Sequence, residues 1–366
     1  MDGDLPADFR CPISLEVMSD PVILETGHTF DRSSILRWLN SGHRSCPITK
    51  LPLPDYPSLI PNLALRSLIS NHTGATLIPT PNPELKEPNL LFSAISSPLS
   101  SPELKLDCIS ILARKTKHDS LLRKQVMESC AVSPILDFVD SPVLQGKTLS
   151  LILNLSLEDD NKVGLVADGV IRRLIRVIRG GYNSDSRAIS CTILTSLAVV
   201  EVNKVTIGAY PLAMESLVYL LDRGVGREVK EAATALYTIC SFPENRRRAV
   251  ENGAIPILLR LSNLGLERAI EVLSVLSKCK EGVEEMGKVA GCVRVLADAV
   301  KNRGERGIQC SLATLCNLSC WCDKFCEEAR GEGLVELCAV LINEDSEKIR
   351  RNAAVLLEAL RGGCRR

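Results

Sequence analysis

A helical pattern that recurs about every 41 residues constrains this chain more than any other feature of its sequence. Long apolar stretches with helical spacing begin seven times, and their starts lie 38 to 42 residues apart, at Glu103, Val143, Ser184, Gly226, Leu264, Glu305 and Ser346. Each unit repeats a long helix, a polar joint, a short helix and a medium helix. A unit of this size buries its apolar stripe only against its neighbours, so the pattern predicts an all-α superhelical solenoid.

The joints between the helices recur with the same spacing. Asn161, Asn203 and Asn245 lie 42 residues apart each time, and we expect such side chains to cap helices by accepting backbone N–H bonds. Glycines that tolerate a left-handed backbone recur further along each unit, at Gly169, Gly253, Gly291 and Gly333. One unit has Ala209-Tyr210 in place of this glycine, and we expect an irregular joint there.

The first 72 residues carry a different pattern, in which the tripeptide Cys-Pro-Ile occurs twice. Cys11-Pro-Ile13 precedes a predicted β-hairpin whose strands flank a two-residue turn at Thr26-Gly27. Cys46-Pro-Ile48 follows a predicted helix that carries Trp38. We predict that a second helix after Pro61-Asn62 turns Leu65, Leu68 and Ile69 inward. The predicted core of this region also includes Phe9, Val22, Phe30 and Ile35.

These N-terminal segments resemble the U-box of ubiquitin ligases, and the 41-residue pattern resembles armadillo (ARM) repeats. The related RING domains use two tetrahedral zinc sites, which need a Cys or His at every ligand position. The segment that carries the motifs, residues 9–62, has only Cys11, His28, His43 and Cys46. We therefore predict a small α+β U-box, a zinc-free RING-like domain, that holds its shape by packing and hydrogen bonds and needs neither a metal nor a cofactor.

The two resemblances and one composition change predict three parts. The U-box is predicted over residues 1–78, and an armadillo-repeat array of about six to seven units over residues 88–366. Between them, residues 79–87 form a proline-rich linker. Proline restrains its own backbone and that of the residue before it, so we expect a semi-rigid spacer.

The U-box resemblance also implies a set of functional residues. In U-box and RING ligases two such loops and the intervening helix form a shallow groove for the ubiquitin-conjugating enzyme (E2). The resemblance therefore implies E2 contacts from Ile13, Trp38 and Pro47, although Trp38 also has a core interpretation. It places Lys50 at the position that contacts both E2 and ubiquitin, where lysine is less directional than arginine.

Cys46 requires a separate assessment because one class of ligase forms a thioester on a catalytic cysteine. A nucleophilic thiol needs a lowered pKa and a base or cation nearby, and His43 is close in sequence. The resemblance, however, is to domains that act without a covalent intermediate. We therefore predict that Cys46, His28 and His43 pack and form hydrogen bonds in place of zinc, and that no residue acts as a nucleophile.

The ARM resemblance implies that the array binds a protein substrate. Candidate groove residues occupy equivalent places on the long helices: Asn154, Ser196, Thr238 and Asn317. Importin-like carriers bear a ladder of Trp and Asn at these places, whereas the tryptophans of this chain are Trp38 and Trp321. We therefore do not expect recognition of nuclear-import signals.

Composition excludes several other classes. Lys plus Arg (44) balance Asp plus Glu (44), so we predict no nucleic-acid partner. No apolar run reaches the length of a membrane span, and we predict no membrane insertion. The 15 cysteines are scattered through helical patterns without a CxxC pair, which favours reduced thiols over disulfides or metal ligands. We expect a cytoplasmic protein, with nuclear or peripheral membrane association and a homodimer as alternatives.

Two functions remain open from the sequence. The first is an E3 ubiquitin ligase whose U-box recruits a ubiquitin-charged E2 for direct transfer to a substrate lysine while the array binds the substrate. The catalytic gain would then come from positioning rather than from acid or base groups. The second is a non-enzymatic scaffold with a weak or inactive U-box.

Overall fold

A computed structural model describes residues 6–54, 57–62, 65–66, 68–69, 87–321 and 323–362. The chain divides into two compact units, residues 1–82 and residues 83–366, and each unit has its own apolar core. Of the linker predicted over residues 79–87, only Glu87 lies within the described residues. The predicted boundaries of that linker therefore stay predictions.

The described part of the N-terminal unit contains a short 3-10 helix (Ala7–Phe9), a three-stranded antiparallel sheet and a helix that follows the second strand directly. These elements are β1 (Pro21–Ile23), β2 (Thr29–Asp31), α1 (Arg32–Asn40) and β3 (Ile60–Pro61), with β1 in the middle of the sheet. Val22, Phe30 and Ile35 are completely buried, because the alternating side chains of the strands and the inner face of α1 meet in one core.

The hairpin between β1 and β2 has a three-residue loop, so the predicted two-residue turn at Thr26-Gly27 was wrong. Leu24 N donates to His28 O at 3.0 Å, which extends the strand pairing by one residue on each side. Gly27 N then donates to Leu24 O, and Gly27 has a φ of 81°. This is the common three-residue hairpin in which glycine takes the left-handed position.

The inward orientation predicted for Leu68 was also wrong. Leu68 is 53% exposed, whereas the adjacent Ile69 is 2% exposed. Neighbouring residues on a helix point about 100° apart, so the core receives only one side chain of the pair. Leu65 packs partly buried against the same core, as predicted.

The described part of the C-terminal unit is a succession of helices. It begins with α2 (Pro88–Ser96) and α3 (Pro102–Thr116). Short, medium and long helices then alternate as α4 (Ser120–Glu128), α5 (Val132–Asp137), α6 (Gln145–Leu155), α7 (Asp159–Ala167), α8 (Val170–Gly180), α9 (Ser184–Leu197), α10 (Glu201–Ala209), α11 (Ala213–Arg223), α12 (Arg227–Ile239), α13 (Pro243–Glu251), α14 (Ala254–Asn263), α15 (Glu267–Leu276), α16 (Lys280–Lys288), α17 (Cys292–Asn302), α18 (Glu305–Ser319), α19 (Asp323–Gly331), α20 (Leu334–Leu341) and α21 (Glu347–Gly362). A 3-10 turn (Phe138–Asp140) extends α5.

The long helices stack on each other in chain order. Each long helix packs against the long helix of the next repeat, in the order α3, α6, α9, α12, α15, α18 and α21. The residues that they bury are mostly aliphatic, with small polar side chains such as serine and threonine among them. One continuous core therefore runs through the unit, as expected for a solenoid in which every repeat is stabilised by its neighbours.

The recurring asparagines connect adjacent repeats, so their predicted role as helix caps was wrong. Asn245 is fully buried in the first turn of α13. Its side-chain N–H groups donate to Ile239 O at 3.0 Å and to Lys204 O, in the preceding repeat, at 2.9 Å. Asn161 and Asn203 form the equivalent pairs of bonds. A buried amide can satisfy two carbonyls at once, which explains the 42-residue spacing.

The glycines before the medium helices have the expected left-handed backbone, with φ between 76° and 79°. In the unit with Ala209-Tyr210, Leu212 takes the place of the glycine and has a φ of 65°. Ala209 ends α10 and Tyr210 has an ordinary φ of −67°, so the irregularity lies two residues beyond the predicted site. A left-handed backbone costs a leucine about 1–2 kcal/mol.

Replacing Leu212 with glycine should therefore stabilise the array by about 1 kcal/mol, because the strain is larger than the entropy that glycine loses. Leu212 is 51% exposed, so little packing is lost. Urea denaturation followed by far-UV circular dichroism measures the change. Leu212→Ala is the matched control, since it removes the side chain and keeps the strain. An equal gain in both variants would show that the backbone is not the cause.

Candidate functional site

Two six-residue loops of the N-terminal unit, loop A (residues 11–16) and loop B (residues 46–51), have the same hydrogen bonds. In each loop the N–H of the first residue donates to the carbonyl of the sixth, and the N–H of the fifth donates to the carbonyl of the first, at 2.8 to 2.9 Å. The fifth residue has a positive φ, 61° at Leu15 and 60° at Lys50. The repeated Cys-Pro-Ile sequence thus specifies two copies of one closed turn.

Each loop closes around a completely buried thiol. The Sγ of Cys11 accepts a hydrogen bond from Asp31 N at 3.2 Å, and the Sγ of Cys46 accepts one from Thr26 Oγ1 at 3.3 Å. Burial raises the pKa of Cys46, but hydrogen bonds from Thr26, Thr49 and Ile48 outweigh this effect and lower the pKa to about 7. Both buried thiols therefore act as hydrogen-bond acceptors that connect their loops to the hairpin. Within the described residues no three Cys, His, Asp or Glu side chains converge to hold a metal ion.

A buried carboxylate connects the segment just before β1 to the start of helix α1. Asp31 Oδ2 accepts from Ser19 N, Ser19 Oγ and Asp20 N, and Asp31 Oδ1 accepts from Ser33 N and Ser33 Oγ. Burial raises the pKa of Asp31, and these five hydrogen bonds reverse that effect and lower it. Arg32 extends the network through a 2.7 Å ion pair with Asp20. Asp31 is also the N-cap of α1, since its side chain accepts from Ser33 N.

Trp38 connects α1 to loop B. Its ring N–H donates to Ser45 O at 2.9 Å, and the ring stacks on His43 at a centroid distance of 3.9 Å. The Lys50 Nζ lies 5.7 Å from the Trp38 ring centroid, within the range of a cation–π interaction. Trp38 packs against the core and remains partly exposed, so it has features of both the core and the docking interpretation. His28 contacts Thr26 O through its Nδ1 at 3.0 Å.

The apolar side chains that protrude most from these loops differ from the predicted ones. Ile13 and Pro47 are partly buried, whereas Leu15 is 70% exposed, Leu51 is 56% exposed and Ile48 is 44% exposed. We did not select these three residues from the sequence. They are the fifth, sixth and third residues of their loops, so the repeated tripeptide does not indicate which apolar side chains protrude. Loops A and B therefore combine a rigid backbone with exposed apolar tips, which is a typical arrangement for docking another protein.

In the array, the four predicted groove residues are partly buried and their polar atoms bind within the array. Asn154 donates to Ala113 O at 2.7 Å, and Ser196 donates to Ser156 O at 2.8 Å. Asn317 donates to Ser277 Oγ at 2.8 Å, whereas Thr238 donates within its own helix to Thr234 O at 3.0 Å. Three of these side chains therefore link consecutive repeats.

Comparisons with known proteins agree with this combination of a metal-free double loop and a stacked helical array. Residues 5–75 match the U-box domain family, and residues 105–365 match the family of the plant U-box protein ARM repeat region. Fold and site together define the class of U-box proteins that carry armadillo repeats. The chain belongs to the plant family of these proteins, because the repeat-region match covers more than half of its length.

Individual relatives extend over both parts of the chain. It is 55% identical to U-box domain-containing protein 8 of Arabidopsis thaliana, over 99% of both chains. It is 27% identical to the E3 ubiquitin-protein ligase PUB23 of the same plant, over 97% of this chain and 92% of that protein. An engineered protein of known crystal structure matches 74% of this chain with a TM-score of 0.67 at 20% identity, over 67% of its own length. That likeness concerns the fold alone.

No helix within the described ranges is both long and apolar enough to cross a lipid bilayer. The longest helix, α21, has 16 residues, which is shorter than the span of about 20 residues that a bilayer requires.

Proposed function

We propose that this protein is an E3 ubiquitin ligase. Its U-box would bind a ubiquitin-charged E2 through loops A and B and Trp38, with Ile13, Trp38 and Pro47 as E2 contacts and Lys50 towards the ubiquitin. The observation that supports this most is the pair of rigid, metal-free loops with apolar tips. Membership in a family that includes a protein named as an E3 ubiquitin-protein ligase supports the activity.

The proposed transfer proceeds directly from E2 to a lysine of a protein substrate. Cys46 has a pKa of about 7, but its side chain is completely buried inside loop B. A thiol in this position has no access to the ubiquitin thioester, which supports a mechanism without a covalent enzyme intermediate. The U-box would act by restraining the E2-bound ubiquitin in a reactive orientation, and the array would bind the substrate. We infer no cofactor for this reaction.

The E2 contacts can be tested by an in vitro ubiquitination assay with the full chain and a panel of E2 enzymes. We expect Ile13→Ala and Pro47→Ala each to slow conjugate formation about tenfold or more, because a central apolar contact contributes about 1–2 kcal/mol or more to binding. Ile60→Ala is the matched control, since Ile60 is 55% exposed but lies in β3, outside both loops. The Trp38 fluorescence of each variant verifies its folding.

The outcomes distinguish the ligase from the second function. A folded double variant that conjugates ubiquitin at the wild-type rate would contradict the proposed surface. A wild-type chain that is inactive with every E2 would favour a non-enzymatic scaffold. One observation favours the scaffold. Lys50 lies over the Trp38 ring, and its ammonium group cannot form the bidentate bonds that an arginine forms.

A further inference from the structure

A cavity of about 420 Å³ opens on the array across four consecutive long helices, α12, α15, α18 and α21. It is elongated in the direction in which these helices stack, rather than along any one of them. Packed helices lie about 10 Å apart, so three intervals span about 30 Å. An extended peptide of about ten residues covers this distance.

The floor of the cavity is held by a network of charged and aromatic side chains from three of these helices. Glu271 accepts hydrogen bonds from Arg268 at 2.8 Å and from Arg306 at 3.3 Å. Arg306 also donates to the Tyr237 hydroxyl at 2.9 Å, and Arg268 lies over the Tyr237 ring at 5.1 Å. Two guanidinium groups therefore neutralise one carboxylate, and the network leaves a net positive charge.

The rim of the cavity adds positive charge. Lys278, Lys348 and Arg351 line it and are exposed. None of these three side chains has a carboxylate within 4.0 Å among the residues that the structure describes. Glu347 is the one rim carboxylate, and it lies next to Lys348 in the chain. Cations that a fold leaves without partners at an open cavity favour an anionic ligand.

The long helices of earlier repeats carry neutral side chains near the level of the cavity. At the corresponding level of α6 and α9 the candidate residues are Asn154 and Ser196, whose polar atoms bind the neighbouring repeat. Beyond the cavity, the start of α21 borders an acidic recess lined by Glu305, Glu344 and Asp345. A negatively charged ligand would therefore be attracted to the cavity and repelled from the recess beside it.

We propose that this cavity binds an acidic peptide segment, rich in Asp or Glu and in extended conformation, of the protein that the array recruits. This inference specifies the substrate class within the proposed ligase function and depends on that function. Alternate side chains of an extended segment point to the same side, about 7 Å apart. Carboxylates at every second position of the segment can then all face the cations at the rim.

Binding is tested with the full chain and a fluorescein-labelled peptide of five Asp-Ser repeats, by fluorescence anisotropy. The peptide of five Asn-Ser repeats has the same shape without the charge. We expect the acidic peptide to bind at least tenfold more tightly than the neutral one. We also expect the affinity to fall as NaCl is raised from about 0.05 to about 0.3 M, because salt screens these contacts.

Charge reversal locates the site. The double variant Lys278→Glu/Arg351→Glu should weaken binding of the acidic peptide at least tenfold. The matched control Arg172→Glu/Arg294→Glu reverses two exposed cations on α8 and α17, which do not line the cavity, and should stay within about twofold of wild type. Equal losses in the two double variants, or no preference for the acidic peptide, would overturn the proposal.

The assay contains no E2 and no ubiquitin, so it is independent of ligase activity. A chain that conjugates ubiquitin but does not bind the acidic peptide would refute the substrate class alone. A chain that binds the peptide but is inactive with every E2 would support the cavity and refute the ligase function alone.

Discussion

Asp31→Ala is expected to unfold the N-terminal unit while the helical array remains folded. The substitution removes the acceptor of five hydrogen bonds and leaves the N–H groups of Ser19, Asp20 and Ser33 without it. Bonds to a buried charged acceptor contribute about 1.5–3 kcal/mol each, and donors left unpaired add to the loss. Because bonds that share one acceptor are not additive, we expect a total loss of at least about 3 kcal/mol. A domain of this size has about 3–5 kcal/mol of stability.

The two tryptophans of the chain make this result measurable in the full-length protein. Trp38 lies in the N-terminal unit and Trp321 in the array. In a Trp321→Phe background, tryptophan fluorescence reports the unfolding of the N-terminal unit, and far-UV circular dichroism reports mainly the array. Asp31→Ala should lower the urea midpoint of the fluorescence transition and leave the other transition in place.

Asp8→Ala is the matched control for Asp31→Ala. Asp8 is an exposed aspartate in the same unit, and its loss should change the free energy of unfolding by less than about 0.5 kcal/mol. Equal effects of the two substitutions would show that the buried network does not stabilise the unit. A loss of ubiquitination in Asp31→Ala should accompany the unfolding, because the proposed E2 contacts lie in this unit.

The same carboxylate should make the N-terminal unit sensitive to acid. The hydrogen bonds lower the pKa of Asp31 in the folded state below the value of about 3.9 for an unfolded chain. Its contribution is therefore fully present above about pH 4, and it is lost as the pH falls through the lower, folded-state pKa. Fluorescence midpoints measured from about pH 6 to about pH 3 should show a drop in wild type that is smaller in Asp31→Asn.

Gly208→Ala is expected to destabilise the array by about 3 kcal/mol, the scale of a severe steric defect in a core. A Cβ at Gly208, in α10, would overlap Oδ1, Cγ and Nδ2 of Asn245 in the next repeat. That side chain cannot move aside easily. Its amide donates to two carbonyls, and its Oδ1 accepts from Arg248 at 2.7 Å. The overlap must therefore break these bonds or separate two repeats.

Two further variants test the cause of this loss. Gly146→Ala places the same methyl group in α6 with no atom within 4 Å, and it should stabilise the helix by up to about 1 kcal/mol. Gly208→Ala/Asn245→Ala removes both the overlap and the amide. The double variant should lose less stability than the two single variants lose together. The difference should be about 1 kcal/mol or more. Strict additivity of the two substitutions would show that Gly208 and Asn245 do not interact.

Much of the architecture was predictable because it depends on periodicity. The spacing of apolar residues indicated the helices and their order, and Gly169, Gly253, Gly291 and Gly333 marked left-handed joints because few other residues adopt that backbone at low cost. The motifs around the repeated Cys-Pro-Ile indicated a resemblance to the U-box. These are local properties, and the family matches agree with them.

The incorrect predictions share a different origin. The two-residue turn, the inward Leu68 and the capping asparagines were each inferred from residues adjacent in sequence. The structure shows that their partners are decided elsewhere: Asn245, for example, binds Lys204 in the preceding repeat. The left-handed Leu212 likewise shows that stacking of the repeats can impose a backbone that the local sequence disfavours.

The sequence by itself determined the two kinds of domain, the repeat and the doubled loop, because hydrophobic periodicity and backbone preference act over a few residues. Only the tertiary structure decided which groups meet across repeats and loops. Asp31 gathers donors from residues 19, 20 and 33, and Tyr237, Glu271 and Arg306 come from three different helices. Such contacts arise from the stacking geometry of whole elements, since hydrogen bonds and ion pairs depend on distances that local sequence does not set.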